Sequence, residues 1–481
     1  MYARLLESDA SYNGHFFTGV LTTGIYCLPA CKARKPKPEN VRFFPTCEAA
    51  REAGLRPCKK CHPDDFARGA DPILADIESL VAEIRANPAA FPNARAIVRR
   101  SGFGATRLFE LFRLHYHSTP ADLLLRARVD AAKSKLLATK AGLLEIAAAV
   151  GFESLSVFHD RFRQLNGLTP GAYRELPDKR TFTVALPGNY PLPYLRRALG
   201  RDPQSVNERL TGDAYTTAVQ LTSGSAILKL RLASDAVQVE TALASRRLGE
   251  AAKTPALPVC VEAHAIVVGL LGLEQDAAAF ARLAQKLGLG RLVRGRTELR
   301  LAQTPSVFDG LLWSIIGQQI NLPFACLLKR RLIERTGMAL DDGLYAPPTP
   351  AEVAAIDPAE LLALQFSRQK ADYVVSTARL ISNGALNLSA LRAMSATRAE
   401  RTLLAIRGLG PWSVNYLLMR SLGFADCVPL GDTGVTSGLQ ALLKLDERPD
   451  VAATRRLMAI FSPYRSLATA HLWQFNQPPP A

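Results

Sequence analysis

The sequence predicts a multidomain α+β protein, and three observations lead to that expectation. The 481 residues exceed what one ordinary hydrophobic core holds. Cysteines concentrate near the N-terminus, as in small metal-stabilised domains. Helical periodicity in the second hundred residues gives way to strand-like alternation, then returns from Pro305 to the end. These changes of pattern place four expected domains at residues 1–72, 73–178, 179–298 and 299–476.

Composition and charge indicate a folded protein that binds a polyanion. Hydrophobic residues make up 48%, and no apolar run approaches the ~20 residues of a spanning helix. With no signal-peptide pattern after Met1, we expect a cytoplasmic protein and no membrane partner. The net charge is +16, and residues 27–62 hold nine Lys or Arg against three acids. Residues 95–180 hold fifteen against eight, so the charge favours a polyanion as the partner.

Five of the eight cysteines fall between positions 27 and 61. Without an export signal, such a cluster indicates metal or reactive chemistry rather than disulfides. Two close pairs on Gly- and Pro-rich turns can converge into a tetrahedral thiolate site, which zinc prefers. We expect His62 to stay outside this shell and Cys47 to be a small buried residue. The expected zinc ligands are Cys27, Cys31, Cys58 and Cys61.

Three strings resemble the N-terminal domain of Ada, the adaptive-response methyltransferase, over residues 1–70. They are T-T-G-I-Y-C-x-P-x-C, N-V-R-F-F-P and R-P-C-K-K-C. Zinc keeps thiolates deprotonated, so an exposed one is a nucleophile. The resemblance implies that Cys27 takes a methyl group irreversibly from a methyl phosphotriester in DNA. The alternative is a zinc knuckle that binds DNA and never reacts.

Two helix-turn-helix patterns follow a helix expected at 73–86. The first runs from Ala94 to His115, turning at residues 101–104, with Thr106 as the expected cap of its second helix. In the second pattern, Gly151 supplies the turn and Ser154 caps a helix that runs to Leu165. The apolar residues of that helix recur at helical spacing and are expected in the core. They are Leu155, Phe158 and Phe162.

The string A-x-V-G-F-x-S-x-S-x-F-x-x-x-F, with G-L-T-P-G-A-Y-R after it, resembles the AraC-type DNA-binding domain over residues 75–175. By that likeness, the expected partner is double-stranded DNA, and the second helix of each motif enters a major groove. Asp160 departs from the pattern, because a basic residue is common there. The candidate DNA contacts are Arg107, Arg113, His159, Arg161 and Arg163.

Residues 181–300 are predicted to form a small antiparallel sheet followed by a helix at 277–286, and they contain no pattern that indicates catalysis.

Further on, the stretch from Leu403 to Trp412 combines an apolar helix end, a G-x-G hairpin and a new helix. Such a hairpin presents backbone N–H groups and a helix N-terminus to a DNA phosphate. Gly408 and Gly410 are the candidate contacts, since glycine leaves room for that approach.

Gly431-Asp432 follows the hairpin by twenty residues. An acid at this place is often a helix N-cap. Here the hairpin, Gly431-Asp432 and the upstream I-G-Q-Q-I together resemble the helix-hairpin-helix glycosylase superfamily. With the strand-rich segment that precedes the helical part and the tail P-Y-R-S…H-L-W, the chain is similar to the AlkA type, 3-methyladenine DNA glycosylase II, over nearly 300 residues.

This resemblance implies that Asp432 stabilises positive charge on the sugar as an N-glycosidic bond breaks, or orients a water. Gln319 falls where family members insert a side chain into the vacated base stack. Trp412 occupies the place of the Schiff-base lysine of nicking relatives, which predicts a monofunctional enzyme that leaves an abasic site. The expected base-stacking residues are Trp412, Tyr416 and Trp473.

Two further features of the superfamily concern metals. No four-cysteine motif follows the hairpin, so an iron–sulfur cluster is not expected. In relatives the hairpin carbonyls can hold a monovalent cation. The corresponding carbonyls belong to Leu404, Ile406 and Gly408.

The leading hypothesis is therefore a fused protein of the alkylation response. It would comprise a four-cysteine zinc domain, an all-α double helix-turn-helix domain, a small antiparallel α/β domain and an all-α helix-hairpin-helix glycosylase domain. We expect a nucleoid-associated monomer whose regulatory part also contacts RNA polymerase. One alternative is a transcriptional regulator whose C-terminal domain binds DNA without catalysis. In another, the N-terminal modules only target the glycosylase and have no promoter role.

Overall fold

The computed structural model describes residues 1–8, 12–31, 33–67, 71–244 and 257–478. The chain forms two compact units, Met1–Glu83 and Ile84–Ala481. Within the described residues, no helix is long and apolar enough to cross a membrane. The mixed α+β, multidomain fold class is confirmed. The finer division into four domains stays a prediction.

The first unit contains a four-stranded sheet with the order β3-β1-β2-β4. β1 pairs antiparallel with β2 and β3, whereas β2 pairs parallel with the short β4. Three strand residues, Phe17, Tyr26 and Phe44, pack together, and Tyr26 is fully buried. The unit therefore has a small core of its own. Its elements are α1 (Tyr2–Leu6), β1 (Phe17–Val20), β2 (Ile25–Cys27), β3 (Val41–Phe44), α2 (Cys47–Glu52), β4 (Arg56–Pro57) and α3 (Pro63–Ala67).

Seven helices form the predicted double helix-turn-helix region. Ser154 caps α9 by accepting from the Val157 N–H, as predicted, and Gly151 has φ +93° in the turn before it. The predicted cap at Thr106 is wrong, because α6 begins at Ala105 and Gly104 is its N-cap. The helices are α4 (Pro72–Ala86), α5 (Ala94–Ser101), α6 (Ala105–Tyr116), α7 (Pro120–Ala138), α8 (Leu143–Ala149), α9 (Leu155–Asn166) and α10 (Pro170–Arg174).

The predicted core of α9 is confirmed for Phe158 and Phe162, both fully buried, and is wrong for Leu155. Leu155 is 37% exposed because it occupies the first turn of the helix, where the chain leaves the core. The two phenylalanines belong to a core that continues into the following sheet through Val184 and Leu228. The second helix-turn-helix therefore shares its interior with the α/β region.

That region is a five-stranded antiparallel sheet with the order β5-β9-β8-β7-β6. Four of its strands carry the alternating or β-branched runs that predict a sheet, which are T-F-T-V-A-L-P, Y-T-T-A-V-Q-L, A-I-L-K-L-R-L and V-Q-V-E-T-A-L. The edge strand β6 was missed, because its residues E-R-L-T lack the apolar alternation that marks a half-buried strand. The elements are β5 (Thr181–Ala185), α11 (Leu192–Leu199), β6 (Glu208–Thr211), β7 (Ala214–Leu221), β8 (Gly224–Leu232), β9 (Ala236–Leu243) and α12 (Val259–Leu271).

The rest of the described chain is helical, as predicted. Buried α14 lies at the centre of one core, and α13 packs with the last three helices in a second. The helices are α13 (Ala277–Lys286), α14 (Val307–Ile316), α15 (Leu322–Thr336), α16 (Pro350–Ala354), α17 (Pro358–Ala363), α18 (Arg368–Ser382), α19 (Leu388–Ala393), α20 (Ala396–Leu404), α21 (Pro411–Arg420), α22 (Thr433–Leu443), α23 (Val451–Ala459) and α24 (Arg465–Phe475).

Candidate functional site

The first unit brings together the thiols of the four predicted ligands. The sulfur atoms of Cys27, Cys31, Cys58 and Cys61 all lie within 4.8 Å of one another. Thiolates around a zinc ion at about 2.3 Å are roughly 3.8 Å apart, so the group fits zinc. His62 instead faces Asp65, with Nδ1 3.4 Å from Oδ2.

Backbone pairing explains why the two cysteine pairs meet. Cys27 is the last residue of β2, and the Cys58 N–H donates to the Tyr26 carbonyl at 3.0 Å, which places the second pair beside the first. Asn13 accepts from the Ala30 N–H at 3.1 Å and fixes the turn before Cys31. Cys47 is buried outside the cluster, with its sulfur 3.5 Å from the Pro63 carbonyl, in agreement with its predicted structural role.

Exposure does not single out Cys27 as the nucleophile. Its side chain is 7% exposed, whereas Cys61 is only half-buried. The Leu28 N–H donates to the Cys61 sulfur at 3.4 Å, which reduces the nucleophilicity of that thiolate. The assignment of Cys27 as the methyl acceptor therefore rests on the sequence resemblance.

Asp432 lies at the start of α22 with both carboxylate oxygens held. Oδ1 accepts from the Val435 N–H at 3.0 Å, so Asp432 is the N-cap of α22, which is one of the two roles that the sequence allowed. The same oxygen accepts from the Trp473 indole at 2.8 Å, and Oδ2 accepts from the Trp412 indole at 3.3 Å. A carboxylate has about four acceptor positions, so one remains for a substrate or water.

Three aromatic rings form a cluster beside this carboxylate. Trp412 stacks on Tyr416 with ring centroids 5.3 Å apart, and Trp473 lies 6.3 Å from Tyr416. Burial raises the pKa of Tyr416, but the positive charges of Arg420 and Arg201 lower it by more. The pKa of Tyr416 is therefore shifted downward overall. These electron-rich faces suit an extruded purine.

The hairpin before α21 takes a backbone conformation that requires glycine. Gly408 has φ +95°, and a Cβ there would meet the Tyr373 ring at 2.4 Å. Gly410 is the N-cap of α21 and makes no side-chain cap, so the N–H groups of Trp412 and Ser413, which follow Pro411, have no intrahelical partner and can face an anion.

Gln318 was missed by the sequence reasoning, which selected its neighbour Gln319. The Gln318 amide donates to the Gly408 carbonyl at 2.8 Å and to the Ser413 hydroxyl at 3.1 Å, tying the hairpin to the end of α14. Gln319 is exposed with φ +55°. The sequence signal for Gln318 was the pair of adjacent glutamines just after a helix. Adjacent residues in a turn point in different directions, so the two glutamines could have been expected to make different contacts.

The predicted DNA contacts of the helix-turn-helix region lie on α6 and α9. Arg107 pairs with Glu110 at 3.2 Å, and Arg161 donates to Gln164 at 2.8 Å. Half-buried His159 lies edge-on to Phe158, with ring centroids 5.9 Å apart. The remaining two candidates are exposed. They are Arg113 and Arg163.

Three family models match the chain. Residues 1–64 match the metal-binding domain of Ada, and residues 97–176 match a helix-turn-helix domain. Residues 312–463 match the HhH-GPD superfamily of base excision DNA repair proteins.

Curated relatives extend the similarity over the whole chain. A Mycobacterium tuberculosis protein, a probable bifunctional transcriptional activator/DNA repair enzyme AlkA, is 27% identical over 100% of this chain and 97% of its own length. Bacillus subtilis AdaA, a bifunctional transcriptional activator/DNA repair enzyme, is 31% identical over 36% of this chain and 80% of its own length. A Bacillus subtilis DNA-3-methyladenine glycosylase is 31% identical over 42% of this chain and 68% of its length.

The chain belongs to the family of Ada-type and AlkA-type DNA repair proteins. Among solved structures, the 3-methyladenine DNA glycosylase of Archaeoglobus fulgidus matches with a TM-score of 0.52 and 20% identity, over 62% of this chain and 98% of that chain. This likeness supports the fold of the C-terminal part. The family membership confirms the predicted fusion of a zinc-binding Ada domain, a DNA-binding helix-turn-helix domain and a glycosylase domain.

Proposed function

We propose that the C-terminal part is a monofunctional DNA glycosylase for alkylated bases such as 3-methyladenine. The observation that carries this is the Asp432 carboxylate, which two indole N–H groups hold beside an aromatic cluster. As the C1′–N bond of a damaged nucleotide breaks, its electron pair leaves with the base, and Asp432 stabilises the cationic sugar. Water then adds to C1′ and loses a proton, which leaves an abasic site.

The residues around Asp432 would divide the remaining tasks. Trp412, Tyr416 and Trp473 would stack on the extruded base, and exposed Gln319 would fill its place in the duplex. The N–H groups of Gly408, of Gly410 and of the first turn of α21 beyond Pro411 would bind a phosphate. Trp412 has no amine, so no Schiff base forms and the DNA strand stays intact.

The test is release of 3-methyladenine from methylated duplex DNA by the full chain and by Asp432→Asn. This variant keeps an oxygen for the helix cap but lacks the charge, so we expect folding without base release. Strand breaks should appear only after alkali treatment of the product. Equal release by both proteins would favour the alternative of a regulator whose C-terminal domain binds DNA without catalysis.

We propose that Cys27 takes the methyl group of a DNA methyl phosphotriester. Its thiolate would attack the methyl carbon, the C–O bond would break, and an ordinary phosphodiester anion would leave. A zinc ion held by the four thiols would keep the nucleophile deprotonated. Loss of one negative charge at the cluster would then strengthen binding to DNA phosphates and activate the helix-turn-helix domain at promoters.

Peptide mapping of the full chain after incubation with methylated DNA tests this step. The methyl group should appear on the peptide that contains Cys27 and be absent after Cys27→Ser. Methylation of half-buried Cys61 instead would reassign the acceptor, and no methylation would leave a zinc knuckle. Mobility shifts before and after methylation separate a regulator from a targeting module, because only a regulator changes its promoter binding.

We further propose a cytoplasmic, nucleoid-associated monomer that contacts RNA polymerase at promoters. A monovalent cation at the carbonyls of Leu404, Ile406 and Gly408 would strengthen phosphate binding by the hairpin. The Gly408 carbonyl already accepts from Gln318, and a carbonyl oxygen has a second lone pair for an ion. Exchange of potassium for tetramethylammonium should then weaken DNA binding at constant ionic strength.

A further inference from the structure

The end of α6, the second helix of the first helix-turn-helix, contacts two parts of the proposed glycosylase. His115 is buried, and its Nδ1 lies 2.9 Å from the Thr397 hydroxyl on α20, the helix that leads into the hairpin. His117 follows α6 as its C-cap, and its Nδ1 accepts the backbone N–H of Asp426 at 3.1 Å. The His117 ring also meets Phe424 edge-on, at 5.5 Å between centroids.

Asp426 begins the short segment that leads to Asp432. Its carboxylate accepts from the Arg465 guanidinium at 2.7 and 2.9 Å and from the Ser462 hydroxyl at 2.8 Å. Arg465 is the first residue of α24, and α24 carries Trp473, which donates to Asp432. The Asp426 N–H is thus the point where the helix-turn-helix domain meets the framework of the active site.

The chemistry of His117 suits an acceptor at this place. Burial lowers its pKa to about 4, with Asp426 raising it and Arg465 and His115 lowering it. The ring is therefore neutral near pH 7, and Nδ1 has a lone pair for the Asp426 N–H. Its backbone has φ +50°, a left-handed conformation that Asn and Gly adopt more readily than other residues.

A cleft lies beside His117, so side-chain packing there does not replace the hydrogen bonds of the two histidines. A cleft of about 450 Å³ opens between α6 and the proposed glycosylase, lined among others by Arg113, Glu400 and Arg455. More distant contacts hold the domains together, including the Arg126–Glu274 ion pair at 3.4 Å and the shared core of α9 and the sheet. Loss of the His117 side chain would therefore leave the domains docked and remove its contacts with the Asp426 N–H, the Phe424 ring and the Cys427 sulfur.

We propose that His117 is a positioning residue of the glycosylase, through which the first helix-turn-helix holds the segment that carries Asp432. This inference rests on the proposed glycosylase function. A released Asp426 N–H lets the segment from 426 to 432 shift, and small displacements of a catalytic group lower the rate of the chemical step. Excision by Asp432 then depends on a domain that the glycosylase fold itself does not contain.

Two substitutions in the full chain separate the acceptor from the fold. His117→Gly removes the acceptor without backbone strain, whereas His117→Asn tolerates the conformation and places Oδ1 near the position of Nδ1. Asn189→Gly is the matched control, because exposed Asn189 also has φ +60° and lies in the α/β region. Single-turnover release of 3-methyladenine, affinity for the same DNA and thermal unfolding would be measured for each.

We expect His117→Gly to lower the single-turnover rate about tenfold, with DNA affinity within about twofold of the parent protein. His117→Asn and Asn189→Gly should stay within about twofold in both. Equal rates for all four folded proteins would overturn the proposal. A loss shared by His117→Gly and His117→Asn would also overturn it, as would a loss confined to affinity.

Tryptophan fluorescence gives a second readout that does not need activity. Two of the three tryptophans, Trp412 and Trp473, donate to Asp432. We expect an altered emission spectrum for His117→Gly and a parental one for His117→Asn. If the parent protein released no base, the glycosylase proposal would fail, whereas an unaltered His117→Gly spectrum would contradict the positioning role alone.

Discussion

At the scale of single residues, Asp432 combines two roles that the sequence presented as alternatives. It caps α22 through Val435, and the same carboxylate is held by two indole N–H groups. The cap fixes where the charge lies, because Oδ1 cannot rotate without giving up a hydrogen bond. Gly434 allows this arrangement, since a Cβ there would meet the Trp473 ring at 2.7 Å.

The Trp473 indole should matter more than that of Trp412. Trp473→Phe keeps an aromatic face but removes the donor at 2.8 Å, so Asp432 loses a fixed orientation. We expect a fall of about tenfold in the single-turnover rate of base release, with a smaller fall for Trp412→Phe, whose contact is 3.3 Å. A larger loss for Trp412→Phe would show that stacking outweighs the hydrogen bonds.

At the scale of elements, the hairpin between α20 and α21 depends on one glycine more than the other. Gly408 has φ +95° and no room for a side chain against Tyr373, whereas a Cβ at Gly410 would have no described atom within 4 Å beyond its own chain neighbours. The motif G-L-G made both glycines candidates for DNA contact. Only the structure separates the residue that shapes the hairpin from the residue that faces open space.

Gly408→Ala should destabilise the protein by about 1–3 kcal/mol and weaken its binding to duplex DNA, because the hairpin must distort. Gly410→Ala is the control, and we expect it to fold with parental stability. Thermal unfolding and DNA affinity measure both effects. Parental stability for Gly408→Ala would contradict the steric account of the hairpin.

Local patterns predicted most elements and, apart from Gln318, the residues of the candidate site, but not the contacts between distant segments. Helical periodicity and capping gave α9 with its N-cap Ser154, and glycine spacing gave the hairpin. The polar edge strand β6 left no apolar signal. The link between His117 and Asp426 joins residues 309 positions apart, and no local pattern encodes such a partner.

At the scale of the whole molecule, buried neutral histidines make the second unit sensitive to acid. Burial lowers the pKa of His264 to about 4 and that of His471 to about 3, from an ordinary value of 6.5. Both rings are buried, and they donate to the carbonyls of Asn166 and Leu292. The unfolded chain therefore binds protons more readily than the folded one below pH 6.5.

We expect the free energy of unfolding to fall as the pH drops from 6.5 toward 4. Each of the two histidines contributes a slope of at most about 1.4 kcal/mol per pH unit. His264→Gln retains a donor for the Asn166 carbonyl and should reduce this slope by the share of one histidine. Denaturant unfolding across that pH range measures it, and an unchanged slope would contradict the assignment.

The molecule as proposed joins two unrelated repair chemistries, one at Cys27 and one at Asp432. The two residues belong to different compact units, and each has its own polar framework. Hydrolysis of a glycosidic bond needs no thiolate, and methyl transfer to sulfur needs no carboxylate. Each reaction should therefore survive the loss of the other.

A crossed assay of Asp432→Asn and Cys27→Ser in the full chain tests this claim most directly. Each variant is incubated with methylated duplex DNA, and both released 3-methyladenine and methylation of the protein are measured. We predict that Asp432→Asn loses base release and still accepts the methyl group, whereas Cys27→Ser does the reverse. Undiminished base release by Asp432→Asn, or undiminished methyl acceptance by Cys27→Ser, would contradict the account.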